Sequence, residues 1–293
     1  DPPITATPTA TATPTPVPPP APIVATDAYL GDGADNRNIS TGFEPAAVLI
    51  LPAGNTTSVR ARLSTMTGDA TKRLIDSSVA PFPDYIQALS PDGFQVGQND
   101  RVNFSGLPYD WAAFGNVPGS VAAGSYTGNG TDRNIVGLGF TPAFWILAKE
   151  TGSVLACWDE RSATFANGEF FLSDHCLGAI ADGFALSSNP YVNQADEPYH
   201  YVAWAAQPGS VAVGSYTGDG ADDRNIVGLG FEPHLVTIVG ETYYEAHFHT
   251  RARRLASRDA LSASGDTNAD AVQALLTDGF QVGADVAVND AGV

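Results

Sequence analysis

Short apolar runs alternate with turn-forming residues along the chain from residue 23 onwards. Ala46 to Leu51 is an unbroken apolar run bounded by two prolines, while Tyr109 to Phe114 and Tyr199 to Ala206 alternate large aromatic side chains with other residues. Gly, Asn, Asp and Pro recur between the runs at the spacing of turns. Because no run has helical periodicity, the pattern predicts an all-β fold of antiparallel β-sandwiches of the jelly-roll or lectin-like kind.

One turn motif, Tyr-x-Gly-[Asp/Asn]-Gly, occurs three times, starting at Tyr29, Tyr126 and Tyr216. Each copy is followed by Arg-Asn-Ile, then by Gly-Phe-x-Pro and an apolar run. An internal repeat of this length predicts tandem structural units. We expect an extended Thr/Pro-rich leader at residues 1–22, a first unit at 23–120, a second unit at 121–210 and a third unit at 211–293.

Each unit is expected to begin with an opening strand that ends at the motif tyrosine and to finish with a closing strand. The runs at 109–114 and 199–206 are the predicted closing strands. In the third unit, Val293 stands where Glu197 stands just before the second closing strand, so the given residues of that unit include no closing strand. Because an uncovered sheet edge is a liability, three explanations are open: a longer chain, a strand added by a neighbouring molecule, or an unusual terminal cap.

Composition and charge limit the kinds of partner. Residues 1–22 are mostly Thr and Pro, which favour a stiff polyproline II spacer typical of surface stalks, where O-linked sugars are often attached. The formal net charge of −18, with only 14 Lys and Arg residues, argues against nucleic acid as a partner. No apolar run is long enough to span a bilayer, so no membrane insertion is expected. These features predict a secreted protein at an extracellular, cell-surface or virion-surface location.

The turn motif carries acidic and amide side chains of the kind that bind calcium. However, each copy continues with an arginine that can neutralise the acids, and the twelve-residue calcium loop with its terminal glutamate is absent. We therefore favour a structural Asp–Arg turn and keep Ca²⁺ as the one candidate cofactor. The candidate ligands are Asp32 and Asp35 in the first copy, Asn129 and Asp132 in the second, and Asp219 and Asp222 in the third.

Two further pairs of residues are candidates for chemistry. His247 and His249 lie two residues apart on a predicted strand, so both point to one face, where they are candidate ligands for a transition metal. Cys157 and Cys176 are a candidate disulfide, but their spacing alone leaves the pairing open. No nucleophile-elbow, zinc-protease or phosphate-loop motif occurs, so we expect no enzyme activity.

Several of these motifs together resemble a known family. The turn motif, Gly-Phe-x-Pro, Trp158-Asp159, Asp182-Gly183-Phe184 and the closing-strand pattern at 199–205 are similar to a repeat domain of phage tail-fibre and other virion-associated proteins. Nearly the whole second unit matches, whereas the other two units lack the Trp-Asp pair. The resemblance implies a lectin-like β-sandwich used in extended multimeric surface structures, with no catalytic residues. The Thr/Pro-rich leader is instead similar to segments of bacterial cell-surface proteins.

These observations predict a non-enzymatic extracellular structural protein, a subunit of a fibre, filament or surface layer. Copies of the chain would be its partners, joined where the leader or a strand of one molecule covers the open third unit of the next. The alternative is a lectin-like module that binds glycans for adhesion or receptor recognition. The four arginines between residues 251 and 258 are expected either to dock on an acidic face of a neighbour or to blunt an edge strand. Candidate assembly residues are Ile23, Val24, Val286 and Val288, and candidate glycan contacts are Trp158 and Tyr191.

Overall fold

Antiparallel strands dominate the chain. The structure, a computed structural model, describes residues 22–52, 58–74, 82–152, 154–158, 176–240, 246–256, 259–262 and 265–292. Within these ranges no helix is longer than five residues. The all-β prediction is therefore confirmed. The leader up to residue 21 lies outside the described residues.

The first unit is built from two facing antiparallel sheets. Its elements are β1 (Val24–Leu30), β2 (Arg37–Ser40), β3 (Pro45–Pro52), β4 (Arg60–Leu63), β5 (Lys72–Arg73), β6 (Ile86–Ser90), β7 (Gly93–Val96), α1 (Asp100–Asn103) and β8 (Pro108–Gly115). The larger sheet has the order β1-β8-β3-β4-β5, and the smaller has the order β2-β7-β6. Ile50 and Trp111 of the larger sheet pack against Phe94 and Val96 of the smaller, which places a core between the sheets. The closing strand, β8, lies between the opening strand, β1, and β3.

The second unit repeats this arrangement. Its elements are β9 (Val121–Thr127), β10 (Arg133–Val136), β11 (Phe144–Lys149), β12 (Val154–Trp158), β13 (Cys176–Ile180), β14 (Gly183–Leu186), α2 (Pro190–Asn193) and β15 (Pro198–Trp204). The larger sheet has the order β12-β11-β15-β9, and the smaller has the order β10-β14-β13. Trp145, Tyr199 and Tyr201 pack with Phe184 between the two sheets. Tyr201 and Trp204 of the closing strand are both buried.

The third unit keeps the smaller sheet but has a different larger sheet. Its elements are β16 (Arg224–Val227), β17 (Leu235–Ile238), β18 (His247–Thr250), α3 (Arg251–Leu255), β19 (Ala260–Ser262), β20 (Thr267–Asn268), β21 (Val272–Leu276), β22 (Gly279–Val282) and α4 (Val286–Asn289). The larger sheet has the order β17-β18-β19-β20, and the smaller has the order β16-β22-β21.

The prediction of an opening strand at the start of the third unit is wrong. Residues 212–223 belong to no strand, and Val211 makes only an isolated bridge with Gln207. The physical reason is visible in the other two units, where the opening strand pairs along its whole length with the closing strand. The described residues of the third unit provide no such partner.

A second kind of core lies between the units. All eight residues of β3 are buried, because one face of the strand packs inside the first unit and the other packs against the neighbouring units. We call this shared cluster the central core. Its members from the three units include Leu49, Leu51 and Phe114 from the first, Ile146 and Trp204 from the second, and Phe248 and Leu261 from the third. The three units therefore bury their larger sheets against one another.

Candidate functional site: the slot of the third unit

A buried asparagine holds the turn motif of each unit. In the first unit, Asn103 Oδ1 accepts a hydrogen bond from Asp32 N–H at 3.1 Å, and Asn103 Nδ2 donates to Asp32 Oδ1 at 3.1 Å and to Ala34 O at 2.7 Å. Asn193 and Asn289 make the same bonds in the second and third units. Sequence reasoning missed these asparagines, although each follows the Phe of Asp-Gly-Phe at one fixed distance (94 to 103, 184 to 193, 280 to 289).

The two glycines of the motif serve different needs. A Cβ atom on the first glycine, Gly31 in the first unit, would overlap the carbonyl oxygen of Phe104 at the end of α1. Gly128 and Gly218 face equivalent carbonyls after α2 and α4. The second glycine has a positive φ, 72° at Gly33, which favours glycine over other residues. The motif is thus a tightly packed corner between the opening segment and the short helix.

The acids of the motif are engaged within and around this corner. Arg37 Nε lies 3.3 Å from Asp32 Oδ2, and the hydrogen bond from Ala34 N–H is the main cause of the lowered pKa of Asp32. Across the described ranges, no group of three or more His, Cys, Asp or Glu side chains is arranged to hold a metal ion. Asp32 is thus bound within the corner by Arg37 and by the N–H of Ala34. The remaining motif residues are also bonded: Arg224 lies 3.3 Å from Asp219, Asn129 bonds Asn193, and Asp35, Asp132 and Asp222 accept hydrogen bonds from Gln87, Ser188 and Gln273.

The histidine pair faces the interior of the third unit. Phe248, which lies between the two histidines on β18, packs in the central core, so His247 and His249 point to the opposite face. The pKa of His249 is lowered to about 4. Burial is the main cause, and the positive charges of the nearby Arg253 and Arg254 add to it. Neither ring nitrogen of His249 has a hydrogen-bond partner among the described residues. The imidazole is therefore neutral at pH 7, and the part of the chain that the structure describes places no third metal ligand beside the pair.

The remaining candidate residues fall in separate places. A disulfide joins Cys157 to Cys176 and ties β12 to β13, which resolves the pairing that the sequence left open. Tyr191 is 46% exposed on α2, while the side chain of Trp158, on β12, lies outside the described residues. Of the assembly candidates, Ile23 and Val24 pack against the central core, Val288 is buried in the third unit, and Val286 is 47% exposed at the start of α4.

One residue of the arginine run joins the third unit to the first. Arg253 Nη1 lies 3.0 Å from Asp110 Oδ2 of β8, and both side chains are fully buried. Arg253 also donates to Asp259 O at 2.8 Å and to Pro52 O at 3.2 Å. The expectation that the run docks on a neighbouring molecule or blunts an edge strand is thereby corrected for Arg253, because its acidic partner belongs to the same chain and Arg253 lies in α3. Arg258 lies outside the described residues.

His200 of β15 makes the matching contact between the second and first units. It occupies the position in the closing strand that Asp110 has in the first unit. His200 Nδ1 lies 2.9 Å from Thr65 Oγ1, and its Nε2 lies 2.6 Å from Glu150 Oε2. Lys72 Nζ of the first unit donates to Gly152 O at 3.2 Å. A closing strand therefore does two things: it completes its own unit, and it carries a polar contact to another unit.

The third unit contains a slot where the other two units hold a closing strand. In the first and second units, the closing strand pairs with the opening strand on one side and with β3 or β11 on the other. Within the described residues, β17 pairs only with β18. The segment 211–217, which corresponds to the opening strand, lies outside every strand. We define the slot as the space between residues 211–217 and β17.

The wall formed by residues 211–217 is anchored as in the complete units. The Tyr216 hydroxyl donates to Val288 O, just as Tyr29 and Tyr126 donate to the equivalent carbonyls of Val102 and Val192. Gly220 N–H donates to Asn289 O at 2.9 Å, and Gly292 N–H donates to Gly218 O at 2.9 Å. The wall is thus held in place without the closing strand.

Side chains beside the slot are more exposed than their counterparts. Thr237 on β17 is exposed, whereas the equivalent Leu49 and Ile146 are only 4% and 5% exposed. A Cβ atom on Gly124 would overlap the Tyr201 ring of the closing strand, but one on the equivalent Gly214 would meet no atom of the described residues within 4 Å. The slot therefore has room for a large side chain where the second unit holds a tyrosine.

Comparisons with family models, curated protein sequences and solved structures return no match to this chain. Among the described residues, no helix has the length and apolar character needed to cross a membrane.

Proposed function

We propose that this chain is a non-enzymatic structural protein of an extracellular fibre, filament or surface layer. Neighbouring molecules join where a strand from one molecule occupies the slot of the third unit in another. This contact is heterologous, since a strand on one copy meets a slot on the next, and such contacts generate chains of molecules. The partners are therefore further copies of the same protein.

The observation that carries the proposal is the open slot. Two units of the same chain are completed by a strand in this position. Among the described residues of the third unit, an anchored wall lies on one side of the slot, and β17, which pairs only with β18, lies on the other. An unpaired strand edge is a template for β-strand addition, in which backbone hydrogen bonds supply much of the affinity. The shared central core supports the proposal as well, because it fixes the slot within a larger packed body.

Assembly of the purified full chain tests this function. Analytical ultracentrifugation over a range of concentrations and negative-stain electron microscopy should show linear polymers. Gly214→Leu, which fills the slot, should shift the distribution towards monomers. Ser215→Leu adds the same side chain at the next residue, whose equivalent Ser125 stays exposed beside a bound closing strand, and should assemble normally. A full chain that remains monomeric at every concentration would contradict the proposal.

The exposure of Tyr191 supports carbohydrate binding as a second candidate function. Its ring is 46% exposed on α2, and exposed aromatic side chains present apolar faces with a polar tip. A glycan array that shows binding by the wild-type chain and loss of binding by Tyr191→Ala would support this candidate. If the wild-type chain binds no glycan on the array, the structural role remains the only proposed function.

A further inference from the structure

We propose that Arg60 and Arg73 of the first unit form an oxyanion site, which binds a carboxylate, sulfate or phosphate group of a ligand. The two arginines lie directly opposite each other on the neighbouring strands β4 and β5. Phe82 and Tyr85 supply the aromatic part of the site, with ring centroids 5.4 Å apart. Binding at this site would be a function in addition to assembly.

Arg60 is a buried cation whose hydrogen-bonding capacity is not used. The residue is only 3% exposed, and neither Nε nor Nη1 has a hydrogen-bond partner among the described residues. Arg62, which points to the same face of β4, shows the contrasting structural role, because its guanidinium donates to Gly68 O at 2.6 Å and to Ile86 O at 3.2 Å. Since burial of a charged group is costly unless it is paired and hydrogen-bonded, Arg60 calls for an acceptor from outside.

The surroundings of Arg60 are positively charged. Arg73 is its direct cross-strand partner, and like charges in that position destabilise a sheet. Burial lowers the pKa of Arg60 to about 10; Tyr85 opposes this effect, and the positive charges of Arg73 and Arg101 lower the pKa further. The chain has 32 acidic residues, yet no Asp or Glu of the described ranges contributes to this pKa. A bound anion would supply the missing negative charge.

The second unit shows that the repeated fold does not require an arginine at this position. Arg60 lies opposite Ile50 in the first unit, and Leu155 lies opposite Leu147, the equivalent of Ile50, in the second. The equivalent position on β12 is therefore occupied by a leucine. Arg60 is thus a feature of the first unit alone with respect to the second, as expected for a residue that binds a ligand.

The two aromatic rings hold the guanidinium groups without using their hydrogen bonds. Arg60 Cζ lies 5.1 Å from the ring centroid of Tyr85 and 5.9 Å from that of Phe82. Arg73 Cζ lies 5.2 Å from the centroid of Phe82. A ring face attracts a cation but is no substitute for an oxygen acceptor, so the N–H groups of Arg60 stay available. Phe82 is itself fixed beside β5, since its N–H donates to Thr71 O at 2.8 Å.

The chemistry of the site selects oxyanions. Guanidinium groups match the oxygens of carboxylate, sulfate and phosphate, often with two hydrogen bonds at once. Arg73, Phe82 and Tyr85 are only partly buried, so the site opens to solvent on their side. The exposed parts of the two rings offer apolar contact to the rest of such a ligand.

Isothermal titration calorimetry of the full chain, in Tris and sodium chloride at constant ionic strength, tests the site. The probes are glucuronate, glucose 6-sulfate and glucose 6-phosphate, which carry the three oxyanions on the same sugar, and glucose is the uncharged control. At least one charged probe should bind about tenfold or more tightly than glucose, and the tightest of them identifies the preferred oxyanion. If no charged probe binds more tightly than glucose, the proposal is overturned.

Chain variants locate the binding. Arg60→Leu, which introduces the residue of the second unit, should weaken binding of the tightest probe at least about tenfold through the loss of charge-assisted hydrogen bonds. Arg73→Gln, on the partly exposed side of the site, should weaken it as well. Arg254→Leu is the matched control, because it removes the same charge from a partly exposed pair with Glu232 in the third unit. Wild-type affinity in Arg60→Leu and Arg73→Gln, or an equal loss in Arg254→Leu, would overturn the site.

Thermal unfolding separates ligand binding from a purely structural role of Arg60. Without a probe, Arg60→Leu should unfold at or above the wild-type temperature, because the substitution removes a buried like-charge contact. The tightest probe should raise the midpoint of the wild type and leave that of Arg60→Leu unchanged, since a ligand stabilises only the protein that binds it. A lower midpoint for Arg60→Leu, together with no effect of the probe on the wild type, would show that Arg60 serves packing alone.

Discussion

Replacement of Arg253 by methionine should destabilise the whole chain. The guanidinium lies 3.0 Å from the Asp110 carboxylate, and neither side chain has any exposed surface. Arg253→Met leaves a buried, uncompensated carboxylate, and breaking a buried pair in this way typically costs about 3–5 kcal/mol. Methionine already occurs at the equivalent position of the first unit, Met66, where it is buried. The loss therefore comes from the missing charge partner rather than from side-chain volume.

The double variant Arg253→Met/Asp110→Leu separates charge from packing. Removing both charges should recover part of the loss, because apolar residues often replace a buried ion pair at little cost. The carbonyls of Pro52 and Asp259 still lose a donor, so we expect the double variant to remain about 1–3 kcal/mol less stable than wild type. The matched control is Arg254→Met, whose partly exposed pair with Glu232 at 3.4 Å should contribute less than about 1 kcal/mol.

Urea unfolding followed by tryptophan fluorescence measures these free energies by linear extrapolation. The double variant should be more stable than either single variant, Arg253→Met or Asp110→Leu. If the decrease in unfolding free energy of the double variant equals the sum of the decreases of the two single variants, the two residues do not interact. The described contact between the third and first units is then refuted. An Arg253→Met loss no larger than that of Arg254→Met would refute it equally.

Three further predictions concern the corner, the disulfide and the buried histidine. Gly128→Ala should cost about 1–3 kcal/mol in thermal or urea unfolding, because its Cβ would overlap the Gln194 carbonyl, whereas Gly214→Ala, which faces open space, should stay within about 0.5 kcal/mol of wild type. Equal effects would contradict the corner geometry. Reduction of the Cys157–Cys176 disulfide, which spans a sequence separation of 19 residues, should lower the unfolding free energy by about 3 kcal/mol, with Cys157→Ser/Cys176→Ser as the comparison; unchanged stability on reduction would count against a disulfide that constrains the unfolded chain. Burial lowers the pKa of His249 from 6.5 to about 4, so the unfolded state binds a proton that the folded state resists. Stability is then full above pH 6.5 and falls by about 2–3 kcal/mol towards pH 4, and urea unfolding of His249→Leu should show a correspondingly weaker decline over this range. Identical pH profiles for the two proteins would contradict the assignment.

Local sequence signals were sufficient to predict the strand-rich fold and the register of its repeated motif. Turn residues such as Gly33, with its positive φ, punctuate the chain, and apolar runs such as β3 lie between them. Because the units share one register, counting from Asp-Gly-Phe also predicted that the third unit has no closing strand within the given residues. Within the described residues of that unit, β17 pairs only with β18.

Contacts between distant parts of the chain could not be predicted in the same way. Asp110 and Arg253 are 143 residues apart, and no local pattern indicates that they pair. The uniformly apolar β3 indicates burial on both faces, but nothing in its sequence names the second and third units as the source of that burial. The buried asparagines are an intermediate case, since their fixed distance from Asp-Gly-Phe was visible, while their bonds to the turn motif depend on the fold.

The most direct test of the slot is hydrogen–deuterium exchange of the full chain, measured alone and with an added synthetic peptide that has the sequence of residues 107–116. In the chain alone, amides of residues 211–217 and β17 should exchange faster than those of the equivalent β9 and β11, which pair with a closing strand. Peptide at saturating concentration should slow exchange in both walls of the slot and leave β9 and β11 unchanged. Protection of both walls in the absence of any added strand, or no gain in protection when the peptide is present, would contradict the account.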